Sequence, residues 1–212
     1  MHVAELWRYP VKSMRGEPLE AVEVREDGFL GDRLVHVVDG RGTLVTGRTR
    51  PGLLGLQATL GPDGAALVDG APWRSEAAAR AVEGAAGEGA RLVGAGEDGL
   101  RFDETPLLVA TDGMAEAFGI DRRRLRPNIV VAGVEGMSER GWEGRRMRIG
   151  GAVIWLDHLC ERCVMTTFDP DTLEQDPEVL RRINAELDGR AALNCGVERP
   201  GRIVVGDPVE LA

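Results

Sequence analysis

Along the first third of the chain, apolar residues recur in short runs broken by turn residues. Residues 3–9 read as a strand that stops at Pro10, because proline lacks the N–H a ladder needs. Residues 11–16 form a polar loop. Leu19-Glu20-Ala21-Val22-Glu23-Val24 then alternates apolar and polar positions, the pattern of a half-buried strand. Asp27-Gly28 marks a turn, residues 34–38 are a more fully apolar strand, and Asp39-Gly40 turns the chain into residues 43–46. Residues 53–60 and 65–68 continue the rhythm. Spacings this short predict an antiparallel sheet or barrel rather than βαβ units.

The pattern changes at Ser75. Residues 75–83 are alanine-rich behind a serine, which predicts a short capped helix ended by Gly84, Gly87 and Gly89. The loop Gly94-Ala95-Gly96-Glu97-Asp98-Gly99 divides the chain into two domains, 1–95 and 96–212. Beyond it come a strand at residues 107–110, a helix starting near Thr111-Asp112, a basic turn at residues 122–128 and a strand at residues 129–131. Residues 145–149 and 152–156 form a hairpin through Gly150-Gly151. Pro177 follows Asp176 at a first helical position, so a helix runs to about Leu187 and stops at Gly189. Residues 202–211 are two strands around a turn.

Composition narrows the function classes. The 212 residues are 43% hydrophobic and only 4% aromatic, so a core exists and is built from aliphatic side chains. A net charge of −9 argues against nucleic acid or an anionic membrane as the main partner. Arginines at 122–126 and 145–148 leave a small anionic ligand open. No apolar run approaches the roughly 18 residues of a membrane helix, and no signal-peptide core opens the chain. Three cysteines are not a secreted disulfide framework, so a reducing cytoplasm is expected.

The densest chemistry lies in residues 156–172, which hold Cys160, Arg162, Cys163, Thr166, Thr167 and Asp169. Four readings compete for the thiols. Structural zinc needs four closed ligands, and only one Cys pair with His158 and the distant Cys195 is available. Thiol exchange needs a helix N-terminus after the attacking cysteine, whereas residues 164–168 are β-branched and read as extended. Buried cysteines can also be small hydrophobes. The fourth reading is a single thiolate on a soft or high-valent metal carried by a cofactor. Such a cofactor, if phosphorylated, needs cations and N–H groups, and Lys12 with Ser13, Arg33, and Arg126 with Asn128 are candidates. Taken singly, these read more simply as a loop lysine, a strand-edge charge and a solvated basic run.

Three motifs resolve the pattern by resemblance. Tyr9-Pro10-Val11-Lys12-Ser13 with Gly31-Asp32-Arg33, Arg126-Pro127-Asn128-Ile129-Val130, and residues 160–170 around Cys160-Glu161-Arg162-Cys163 resemble the MOSC family, named after the C-terminal domain of molybdenum-cofactor sulfurases. Residues 200–209 fit as well. The resemblance implies a mainly β fold with a few short helices: an N-terminal β-barrel subdomain followed by the MOSC β-barrel, with the molybdenum cofactor between them. It is nearest to the branch of amidoxime-reducing components. That branch implies Cys163 as molybdenum ligand and catalytic centre, and Glu161 (through its backbone) and Arg162 against the pterin. It implies Lys12, Ser13 and Arg33 at the phosphate end, Arg126 and Asn128 as a second polar wall, and a hydroxyl from Thr105. Pyridoxal-phosphate binding is implied at family level only.

The implied activity is two-electron reduction of amidoximes, hydroxylamines and N-oxides by oxygen-atom transfer at the metal. Asp157 and His158 are candidates for a proton relay, or are simply satisfied strand-end residues. No four-cysteine set for an iron–sulfur cluster remains, so electrons are expected from a separate reductase or ferredoxin. Residues 194–200 lack the tyrosine expected near the cofactor, and Glu161 replaces a small or neutral residue. The alternatives are a non-redox cofactor carrier, a persulfide carrier on Cys163, and a β-barrel binding module with structural cysteines.

Overall fold

The computed structural model describes residues 1–98 and 101–212. Its main sheet has eight strands, in the order Val209–Leu211, Arg146–Ile149, Ala152–Glu161, Arg190–Arg199, Leu107–Thr111, Ile129–Ala132, His2–Arg8 and Glu17–Leu19. Three small sheets of three strands each flank it. The fold is therefore mainly β with a few short helices, as expected.

Neighbours in the main sheet pair antiparallel except Leu107–Thr111 and Ile129–Ala132, which run parallel. This parallel pair lies beyond the first third of the chain, where the short spacings predicted antiparallel pairing. The Thr111 hydroxyl accepts the Met114 N–H at 3.1 Å and caps the helix Asp112–Phe118, so the chain leaves the strand into a crossover instead of a hairpin.

Leu107–Thr111 is buried along its whole length, and its period-two side chains serve two cores. Leu107 and Val109 join a core built from both ends of the chain, including Val3, Leu6, Phe29, Ile154, Leu193 and Ile203. Leu108 and Ala110 face the other way, against Met114, Phe118 and Ile183. There the helix Pro177–Leu187 presents Val179, Ile183 and Leu187, one apolar residue per turn. Its bounds match the sequence signals, with Asp176 capping the Glu178 N–H at 3.0 Å. A further core lies within residues 11–90, around the helix Glu76–Ala86.

Several local expectations change. The single strand predicted at residues 19–24 divides at Glu20, and its halves pair in different sheets. Residues 53–60 begin as a 3-10 helix, Pro51–Gly55, because proline sits at its first turn; only Ala58–Leu60 is strand. The Ser75-capped helix runs through Gly84 and stops at Gly87, whose φ of +103° few other residues adopt. Of the expected 94–99 loop, Ala95–Asp98 is a helical turn and Gly99 lies outside the described residues.

Candidate functional site

Residues 164–168 do not continue as a strand. The strand Ala152–Glu161 ends, and Val164–Thr167 forms a 3-10 turn with Cys163 at its N-terminal boundary. Two hydroxyls override the extended preference of the β-branched residues by bonding back to the turn: Thr166 to the Cys163 carbonyl at 2.9 Å and Thr167 to the Val164 carbonyl at 2.7 Å. Arg124 braces the turn from outside, donating to the Thr167 carbonyl at 2.9 Å and to Asp169 at 3.1 Å. Asp169 accepts the Asp171 and Thr172 N–H groups, which hold its carboxyl below the usual range. The thiol of Cys163 is thus mounted on a frame tied at both ends.

All nine residues singled out from the sequence, Lys12, Ser13, Arg33, Thr105, Arg126, Asn128, Glu161, Arg162 and Cys163, line one cleft of about 150 Å³. They arrive from five separate segments of chain. Five cationic side chains line it against three acids (Asp103, Glu104, Glu161), a positive surplus of two in a chain of net charge −9. Lys12 and Ser13 are buried. Seven non-glycine residues have positive φ among the described residues, and Ser13 (+71°), Arg33 (+48°) and Arg126 (+58°) are three of them. Backbone held in this region by surrounding structure clusters at functional sites.

The two motif thiols differ. Cys160 accepts a hydrogen bond from Arg162 Nη1 at 3.1 Å, and burial pushes its pKa up despite that neighbour. Cys163 is half-buried and receives Arg48 Nε at 3.4 Å. Arg48 also meets Asp103 at 2.7 Å, and Asp103 meets Lys12 at 2.7 Å. Cys195 is fully buried and belongs to the main core; burial raises its thiol pKa. Among the described residues no group of three or more His, Cys, Asp or Glu side chains is placed to hold a metal on protein ligands alone.

Some lining groups are already engaged. Asn128 donates through Nδ2 to the Trp7 carbonyl and to Asp32, both at 3.2 Å, and accepts the Leu108 N–H at 3.1 Å. The Thr105 hydroxyl donates to the Leu107 carbonyl and accepts the Cys195 N–H, both at 3.1 Å. Arg33 is held by buried Asp32. Arg162, by contrast, keeps a buried Nε with no partner beside the cleft, although Nη1 and Nη2 are bonded. That orphan donor, the cationic surplus and a half-buried cysteine thiol in the lining fit a phosphorylated cofactor that carries its own metal.

The sequence reading missed Arg48, Asp103, Glu104 and Asn194, which also line the cleft. Asp103 and Glu104 directly precede Thr105, which alone of this segment was singled out from the sequence. Arg48 follows an ordinary strand–turn signal, and nothing in the sequence marks it. A second cavity of about 390 Å³ lies beyond Arg126 and Met165, which line both.

Two family models match the chain in tandem: one described as the MOSC N-terminal beta barrel domain over residues 1–115, and one described as the MOSC domain over residues 109–210. Mitochondrial amidoxime-reducing component 1 of Homo sapiens is 26% identical, the match covering 99% of this chain and 82% of that protein. Mitochondrial amidoxime reducing component 2 of Macaca fascicularis is 27% identical, covering 98% and 82%. Among solved structures, the YuaD protein of Bacillus subtilis matches with a TM-score of 0.54 at 16% identity, over 99% of this chain and 94% of that one, a likeness of fold.

Proposed function

This chain belongs to the MOSC family, and from that premise we propose that it is a molybdenum-cofactor-dependent reductase of N-hydroxylated compounds. The observation that carries the reading is the single cationic cleft that gathers all nine candidate residues, Cys163 among them. The similarity to amidoxime-reducing components over nearly the whole chain supports the reaction class.

In this reading Lys12, Ser13 and Arg33 hold the phosphate end of the cofactor. Their side chains come from two loops whose backbones are already fixed in the left-handed region at Ser13 and Arg33. Arg126 and Asn128 form the second polar wall with Thr105, and Arg162 offers its orphan Nε to the pterin beside the Glu161 backbone. Cys163 Sγ is the metal's protein ligand. When bound, the cofactor supplies two-electron removal of an oxygen atom from the substrate. The chain's own part is to hold the thiol rigid, to neutralise the cofactor's anionic end and to admit protons. Electrons come from a separate reductase or ferredoxin. The division into residues 1–95 and 96–212, with the cofactor between them, is part of the proposal.

The test uses protein made in a host that synthesises molybdenum cofactor, with its molybdenum content measured. It is assayed with a chemically reduced dye against an amidoxime, a hydroxylamine and an N-oxide. Wild type is expected to reduce them in proportion to its molybdenum, and C163A to lose both metal and turnover. Protein that holds no molybdenum under any growth condition refutes the cofactor reading. A C163A variant with full metal and full activity refutes the ligand assignment. A persulfide on Cys163 by intact mass, with no turnover, would favour a sulfur-carrier role instead.

A further inference from the structure

We infer that Glu104 and His158, pinned by Asn194, form a proton-delivery path into the cleft. The inference rests on the reductase reading above, because that reaction consumes protons. Glu104 and Asn194 line the cleft, and His158, which is not among its lining residues, touches both. His158 and Asn194 are directly opposite each other across the ladder between Ala152–Glu161 and Arg190–Arg199, beside a register shift between Leu156 and His158. His158 Nε2 lies 3.0 Å from Glu104 Oε2, and its Nδ1 lies 3.2 Å from Asp157 Oδ2. Asn194 Nδ2 lies 3.1 Å from His158 Nε2 and also donates to Glu104 Oε2. With the imidazole protonated at Nε2, Glu104 Oε2 accepts from both the ring and the Asn194 amide, which fixes the carboxylate at the cleft wall.

A carboxylate, an imidazole and a second carboxylate in line are the parts of a relay. The imidazole is 45% exposed, so it exchanges protons with solvent, while Glu104 faces the cleft. The groups around the imidazole are Asp157 on its own strand, Glu104 on the segment before Leu107–Thr111, and the uncharged Asn194 on the neighbouring strand. Partial burial pulls its pKa down, but the hydrogen bonds and charges of Glu104 and Asp157 outweigh that and hold it above the ordinary histidine value. The imidazolium is therefore a ready source near neutrality.

The balance is explicit. R–NH–OH takes up two electrons, from the reductase- or ferredoxin-type donor, and two protons. The N–O bond breaks, and R–NH2 and water leave. His158 passes its Nε2 proton to Glu104, Glu104 passes a proton to the oxygen that departs as water, and His158 is recharged from solvent. The second proton enters from solvent through the open cleft.

Two measurements test this on the full chain. In cofactor-free protein, the His158 ring is titrated by NMR: wild type is expected to titrate above the ordinary value and E104Q to fall back toward it. An E104Q shift of zero overturns the dyad. In molybdenum-loaded protein, E104Q and H158Q are compared with wild type at matched metal content. Both are expected to lose about 10²-fold in turnover. H158Q should also lose the wild-type fall in rate at alkaline pH and recover activity with added imidazole, which a merely structural role would not produce. Variants with wild-type rate and pH profile overturn the relay. A fully loaded wild type that reduces no N-hydroxylated compound overturns the reductase reading and the relay's purpose with it, whatever the titration shows.

Discussion

Substituting Asn128→Asp tests whether the cleft is held by a buried polar scaffold. The change replaces one N–H donor group with a carboxylate oxygen and keeps the shape. Asn128 and Asp32 are both fully buried. Asn128 Nδ2 donates at 3.2 Å to the Trp7 carbonyl and at 3.2 Å to Asp32. Asp32 already accepts from Arg33 and from the Tyr9 N–H. The new oxygen would face a carbonyl and a carboxylate, and the new carboxyl must be protonated to be tolerated there. Holding a carboxyl of ordinary pKa about 3.9 protonated at pH 7 costs about 3 pK units, or about 4 kcal/mol. A neutral carboxyl offers one proton where the amide offered two, which adds about 1 kcal/mol. The expected loss of about 5 kcal/mol is a large fraction of a domain's total stability.

Urea denaturation midpoints of wild type and N128D, measured from neutral pH down to about pH 4, check both size and sign. The folded pKa of the new carboxyl is raised above its unfolded value. Its penalty is therefore largest at neutral pH and shrinks as pH falls toward the unfolded pKa. The gap between the two proteins should narrow on acidification to about the 1 kcal/mol of the missing hydrogen bond. A gap under about 1 kcal/mol at pH 7, or one that does not narrow, would refute the reasoning that ties Asn128 to Asp32.

Two further predictions concern strain and titration. Ser13→Gly relieves a left-handed residue at φ +71°; against about 1–2 kcal/mol of relief stands about 0.5–1 kcal/mol of added chain entropy, so stability should rise by up to about 1.5 kcal/mol while cofactor retention falls. A drop in stability would show that the hydroxyl, not the backbone, governs the site. For His158, a folded pKa above the unfolded value means a stabilising contribution present below pH 6.5 and lost as pH rises through the folded pKa; pH-dependent denaturation of wild type against H158Q should show that loss in wild type only, small because the side chain is half exposed.

The fold was legible where local signals were strong. Asp176-Pro177 and Gly189 bounded a helix correctly because capping and proline geometry act within one turn. The parallel pair Leu107–Thr111 with Ile129–Ala132 was not legible, since pairing partners depend on packing over both faces of a buried strand. Nor was the turn after Cys163, where hydroxyls at Thr166 and Thr167 outweigh β propensity. The candidate residues came from motif resemblance, and their convergence on one cleft is a property of the folded chain. Glu104, Asn194 and Arg48 were invisible because their significance lies in cross-chain contacts: Glu104 gains meaning only from His158, which is distant in sequence.

The cleft's charges are maintained by the protein in a way that leaves work for a ligand. The Arg33 and Arg126 guanidinium carbons lie 5.2 and 4.4 Å from the centre of the Tyr9 ring. Burial pushes the Tyr9 pKa up to about 12, with Arg126 opposing, so a neutral phenol presents its ring to both cations while its hydroxyl donates to the Pro127 carbonyl at 3.1 Å. Burial lowers the Arg126 pKa to about 10, which still leaves it ionised at neutral pH. A half-buried cation that donates from Nη2 to the Met14 carbonyl at 2.6 Å, on a left-handed backbone, is costly to the fold. Neighbouring cations at Arg33 and Arg162 add to that cost. A bound anionic group would relieve that repulsion, while Tyr9, Asp32 and Asn128 already hold one another in place. Under the proposed function, residues that weaken the free protein are the ones that would hold the cofactor's anionic end, and replacing them should trade binding for stability.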